Sequence, residues 1–85
     1  MKLVLECKDS DGLTGFNYSH TGWWNVGSVY FGQTTPLECA NACMEGCVAI
    51  DSRVGGGACF HYKNKEDITD ANKVLHDGIK AYIKC

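Results

Sequence analysis

The chain of 85 residues has a single proline, no apolar run longer than four or five residues, and no surplus of either charge. One proline beside 45% hydrophobic residues excludes a disordered, low-complexity segment. Apolar runs this short exclude a bilayer-spanning helix. Eight basic and ten acidic residues leave a net charge of −2, with no basic stripe, which argues against a nucleic-acid partner. Lys63, Lys65, Lys73, Lys80 and Lys84 lean the last third positive, but Glu66, Asp67, Asp70 and Asp77 balance them.

Motifs for chemistry are also missing. His20, His61 and His76 lack any motif context, and Ser19, Ser28 and Ser52 lack a nucleophile elbow. Gly55-Gly56-Gly57 has neither the Lys nor the Ser of a phosphate loop and reads as a hairpin tip. Asp9-Ser10-Asp11-Gly12 reads as a turn, since the remaining ligands of a calcium loop are absent. The chain is therefore expected to be no enzyme and to need no cofactor or metal.

Cysteine is what the sequence has in excess. Cys7, Cys39, Cys43, Cys47, Cys59 and Cys85 are an even set, dense for so short a chain, and point to disulfides in a secreted or surface-exposed domain. Zinc thiolates usually come as two close pairs on separate turns, whereas Cys39, Cys43 and Cys47 follow one another as C-x3-C-x3-C. A domain of this size has a thin core, so covalent staples are expected.

Lys2 to Cys7 alternates like a half-buried strand. Leu13 to Gly27 is aromatic but broken by glycines, and reads as irregular strands and loops. Val29 and Phe31 alternate with Ser28 and Tyr30 in a short strand ending at Gly32. Thr35-Pro36-Leu37-Glu38 is a capping box with proline at the first helical position, which predicts a helix from Pro36 to about Glu45 with Gly46 just past its end. Cys39 and Cys43 then share a helix face, beside an apolar stripe of Leu37, Ala40 and Met44. Cys47 to Asp51 reads as a strand, Ala58 to Lys63 as its hairpin partner, and Lys65 to Asn72 as a polar loop with a helical turn through Lys73 to His76. Ile79, Ala81 and Ile83 alternate with Lys80, Tyr82 and Lys84 in a closing strand. The expected class is α+β: a single helix packed on a small antiparallel sheet, in one domain over residues 1–85.

The string Thr35-Pro36-Leu37-Glu38-Cys39-Ala40-Asn41-Ala42-Cys43, then Cys47 and Cys59, bracketed by Cys7 and Cys85, resembles the PAN/apple module. The short link from Cys43 to Cys47 looks most like the apple domains of coccidian microneme adhesins. The resemblance implies a disulfide-stapled PAN/apple fold with pairs Cys7–Cys85, Cys39–Cys59 and Cys43–Cys47. It also implies a secreted adhesion module, one repeat of a larger protein, held in a microneme before release. Its partners would be host-cell surface proteins or glycans and neighbouring modules of a tandem array. The alternative is a protein-interaction domain of a secreted protease or growth-factor-like precursor.

Aromatics supply the candidate binding surface. Trp23 and Trp24 are adjacent, so in a strand they face opposite ways. Trp24 is expected inward, with Val26, and Trp23 outward as an anchor. Tyr62, Lys63 and Tyr82 are expected to add a hydrogen-bonding rim. Asn17-Tyr18-Ser19 is an N-glycosylation sequon.

Overall fold

The helix begins where its capping residues dictate. In the computed structural model, which describes residues 11–85, α1 spans Pro36–Asn41. The Glu38 N–H donates to Thr35 Oγ1 at 3.1 Å, and the Thr35 N–H donates back to Glu38 Oε1 at 2.9 Å. The helix is shorter than expected, ending at Asn41 with Ala42 as its cap. Beyond it, Lys84 Nζ donates to the carbonyls of Cys43 and Met44 at 2.8 and 3.1 Å. Both carbonyls lie in the turn past Ala42, so the lysine ties that turn to the end of the last strand. The chain from residue 42 to 47 instead closes in turns, with the Cys47 N–H on the Met44 carbonyl. Gly46 takes a left-handed φ of +86° there, within the turn and past the helix end. Of the expected apolar stripe only Ala40 is buried; Leu37 and Met44 are exposed, since six residues cannot carry a stripe onto the sheet.

Five strands form one antiparallel sheet: β1 (Phe16–Trp24), β2 (Val29–Thr34), β3 (Ala49–Arg53), β4 (Gly57–Tyr62) and β5 (Lys73–Lys84), in the order β1-β5-β3-β4-β2. One helix on a five-stranded antiparallel sheet, held by disulfides, is the α+β architecture expected. The hairpin of β3 and β4 turns through Gly55 and Gly56 as the sequence suggests.

Other elements also differ from expectation. Residues 16–24 are one continuous strand, and Lys73 to His76 is extended as the start of β5; the helical turns lie earlier, as 3₁₀ turns at Lys65–Asp67 and Asp70–Asn72. The register of β1 against β5 explains why its pattern was obscure. A bulge at Ser19, between the pairs Tyr18↔Tyr82 and His20↔Ala81, moves even-numbered residues from one sheet face to the other. Phe16 therefore packs with the helix, while Trp24 belongs to the opposite cluster. Gly22 is required where β5 comes close: a Cβ there would lie 1.7 Å from the Val74 carbonyl oxygen. β2 also runs past Gly32 to Thr34, through a second bulge.

Both sheet faces are covered, so Ala49, Ile50, Asp51 and Ser52 of the central β3 are all buried. On the helix face, Leu13, Phe16, Ile50 and Tyr82 pack with Ala40 and the cystines. On the other, Trp24, Ala49, Tyr62 and Ala81 pack with Val26, Val48, Ile68 and Ile83. Cys39 is bonded to Cys59, tying α1 to β4 with Cα atoms 5.7 Å apart, and Cys43 is bonded to Cys47 at 5.2 Å. Cys85 is disulfide-bonded as well. The predicted strand Lys2 to Cys7, the start of the Asp9–Gly12 turn, and Cys7 itself lie outside the described residues.

Candidate ligand cleft

A carboxylate on an inner strand of a sheet covered on both faces is the least expected residue in this fold. Asp51 lies on β3 opposite Phe60 of β4 and Ala81 of β5, so it points to the face of Trp24 and Tyr62, away from the helix. It is 4% exposed. Its Oδ2 accepts the Tyr62 hydroxyl at 2.5 Å, and that hydroxyl oxygen accepts the Trp24 backbone N–H at 3.2 Å. The Trp24 and Tyr62 rings meet edge to face with centroids 5.1 Å apart, so the phenol is fixed by packing as well as by its hydrogen bonds.

The electrostatics follow from burial. Desolvation raises the Asp51 pKa from its ordinary value of 3.8 to about 6, with the Tyr62 hydrogen bond pulling the other way. Tyr62 is raised far above the usual phenol range, first by burial and then by the Asp51 carboxylate. Among the described residues no basic side chain is paired with Asp51: the ion pairs are Lys73–Asp70 and Lys80–Asp11, both at the surface. Arg53, two residues along the strand, lays its aliphatic stem over Gly57.

Above Asp51 opens a cleft of about 350 Å³. One wall is the segment from Trp23 to Ser28, and the sheet contributes Phe60, Tyr62 and Ile79. The Trp24 Nε1–H is buried without a hydrogen-bond partner. A second hollow of about 380 Å³ lies beside Cys85, lined by Val48, Ile68 and Ile83 with Lys65 and Lys84. Among the described residues no Asp or Glu lines it, and Lys84 is already engaged with the Cys43 carbonyl.

The structure separates the four residues expected to form one binding surface. Trp24 is 1% exposed and inward, and Trp23 is half-buried, packed on His76 at 5.0 Å while bordering the cleft. Tyr62 and Tyr82 are each 2% exposed, so neither is an open rim residue. Tyr62 is the cleft's buried support, whereas Tyr82 lies on the helix face and donates to Asp11 Oδ2 at 2.7 Å. Lys63 is exposed just past β4. Trp23 and Tyr62 thus meet at the cleft, and Tyr82 does not.

Groups able to do chemistry are otherwise committed. Ser19 Oγ lies 2.8 Å from His20 Nδ1, but the other ring nitrogen is on the Trp23 carbonyl, a backbone partner and not a carboxylate. Cys39 Sγ, Cys59 Sγ and a ring nitrogen of His61 lie within 4.8 Å of one another. Both sulfurs are joined in a disulfide and are not thiolates, and His61 Nε2 is 3.0 Å from the Cys39 carbonyl. Asp11, of the predicted turn, is held low in pKa by Tyr82 and then Lys80. No helix of the described residues is long and apolar enough to cross a membrane.

No family model, curated protein or solved structure matches this chain.

Proposed function

We propose that this chain is an extracellular binding module of the PAN/apple type, which attaches its parent protein to surface receptors of a host cell. The observation that carries the reading is the cleft over Asp51, an aromatic-walled concavity whose base is fixed by the Tyr62 and Trp24 hydrogen bonds. Such a site is preformed and offers shape and charge but no activated nucleophile, so it works by static complementarity. The capped helix carrying Cys39 and Cys43, and the short link to Cys47, support the PAN/apple assignment.

The role of a polyanion-docking domain, as in a secreted protease or growth-factor precursor, has less support. Lys73 and Lys80 are paired with Asp70 and Asp11, and Lys84 is bonded to the Cys43 and Met44 carbonyls, which leaves Lys63 and Lys65 from the C-terminal set. The test is a screen of the folded domain against host-cell surface proteins and glycans, beside the same domain reduced and alkylated. Saturable capture by the folded form alone is expected; equal capture by both forms, or by neither, overturns the reading.

A further inference from the structure

We infer that the cleft over Asp51 is an anchoring pocket for one basic side chain of a receptor protein, a Lys or Arg, with Asp51 as its counter-ion. The inference rests on the binding-module reading and names the group that the module grips. Buried carboxylates in folded proteins are paired with a cation or held by several hydrogen bonds, because stripping water from an unpaired charge is costly. Asp51 is 4% exposed, and among the described residues its carboxylate accepts one hydrogen bond, from Tyr62, and makes no ion pair, Arg53 on the same face of β3 laying its stem over Gly57 instead. The missing partner is a cation, and the cleft gives it a route in.

The lining selects the kind of cation. Phe60, Val26 and Ile79 line the cleft together with Asp51, apolar surface beside one carboxylate. An aliphatic stem with a charged tip matches that combination, as Lys and Arg side chains do. The aromatic rings that line the cleft, Trp23, Trp24, Phe60 and Tyr62, are of the kind that attracts the same cation. A hexose, with hydroxyls on every side, would find one carboxylate and mostly apolar wall, and so fits less well.

The experiment follows the folded protein by NMR while it is titrated with N-acetyl-lysine methylamide, its arginine counterpart, the uncharged norleucine counterpart, and a methyl hexoside. Saturable shifts confined to Asp51, Phe60 and the Trp24 indole are expected for the basic probes, with affinity about tenfold weaker for norleucine. Asp51→Asn, which keeps shape and can still accept from Tyr62, should weaken the basic probes by about thirtyfold. With wild-type protein, occupancy should fall between pH 7 and pH 5 as Asp51 gains a proton; among the described residues Tyr62 is hydrogen-bonded to it, Arg53 lies on the same face of β3, and His20 of β1 packs on Trp24. Equal binding of norleucine, seating of the hexoside in place of lysine, or a flat pH profile would each overturn the pocket, even if Asp51→Asn fails to fold. In the receptor screen, capture unchanged by Asp51→Asn sinks the pocket and leaves the binding module standing. A lysine probe seated in the cleft of a domain that captures no receptor does the reverse.

Discussion

The helix face and the cleft face of the same sheet are closed in different ways. On the helix face, four half-cystines pack among Leu13, Phe16, Ile50 and Tyr82 under a helix of six residues. So short a helix is not stable alone, and Cys39–Cys59 and Cys43–Cys47 hold it where side-chain burial would not. On the cleft face Trp24 and Tyr62 supply the bulk, edge to face, and a buried carboxylate is tolerated beside them. Side-chain packing thus closes the cleft face around a carboxylate that has a hydrogen bond but, among the described residues, no counter-ion.

The largest expected effect sharpens this contrast. Trp24→Ala removes the largest fully buried side chain from the face that neither Cys39–Cys59 nor Cys43–Cys47 staples, and should cost about 3–5 kcal/mol in denaturant unfolding. Trp23→Ala, on a half-buried ring, should cost clearly less. Equal costs would mean that the aromatic cluster is not a second core. Next, replacing Cys39 and Cys59 together by Ala opens a cross-link of sequence separation 20 and should cost about 3 kcal/mol, mostly through the unfolded state. If that double variant loses much less, the helix face holds itself by packing, and the contrast between faces fails.

The third effect lies in the pH dependence of the cleft face. The folded pKa of Asp51 is about 6, above its ordinary 3.8, so the folded state binds the proton more tightly. Stability from this group is therefore full below about pH 4 and is lost as pH rises through about 6, a change of about 2–3 kcal/mol. Asp51→Asn should remove that slope and make the domain more stable at pH 7 than the parent. The lowered pKa values of Asp11, Glu38 and Asp70 act with the opposite sign at lower pH, so the comparison is between variant and parent. A variant whose stability parallels the parent from pH 4 to 7 would show that Asp51 is hydrated in the folded state.

How much of this was legible in the sequence divides along the same two faces. The helix face announces itself through the T-P-x-E cap and the cysteine spacing, because local chemistry places both. The cleft was only half legible. Trp24 inward and Trp23 outward follow from alternation, but Asp51 read as the end of an apolar run, Cys47-Val48-Ala49-Ile50-Asp51. A carboxylate closing a run buried on both faces was the signal for the site. Its partners Tyr62 and Phe60 sit one strand away, and only the β3–β4 register brings them to it. Tyr82 looked equivalent to Tyr62 because both are tyrosines near strand ends, yet the registers put them on opposite faces. The β1 bulge at Ser19 hid a long strand for a related reason: a change of parity is invisible to a period-two reading.

The smallest effect tests whether the helix face depends on local capping or on its covalent ties. Thr35→Ala removes the Oγ1 that accepts the Glu38 N–H, leaving that donor to water at the exposed helix start. The expected cost is about 1 kcal/mol. Glu38→Ala removes the reciprocal bond to the Thr35 N–H and should cost somewhat less, since the lost acceptor there is replaced readily by solvent. Glu45→Ala, beyond the observed end of α1, should cost well under either. The informative measurement is the same set repeated with Cys39 and Cys59 replaced. If the cross-link holds the helix in place after the cap is lost, the cap should be worth more without it, and the two changes together should exceed their sum. Strict additivity would mean that capping and cross-linking act on separate parts of the folding equilibrium, and that the helix needs no covalent tie to stay formed.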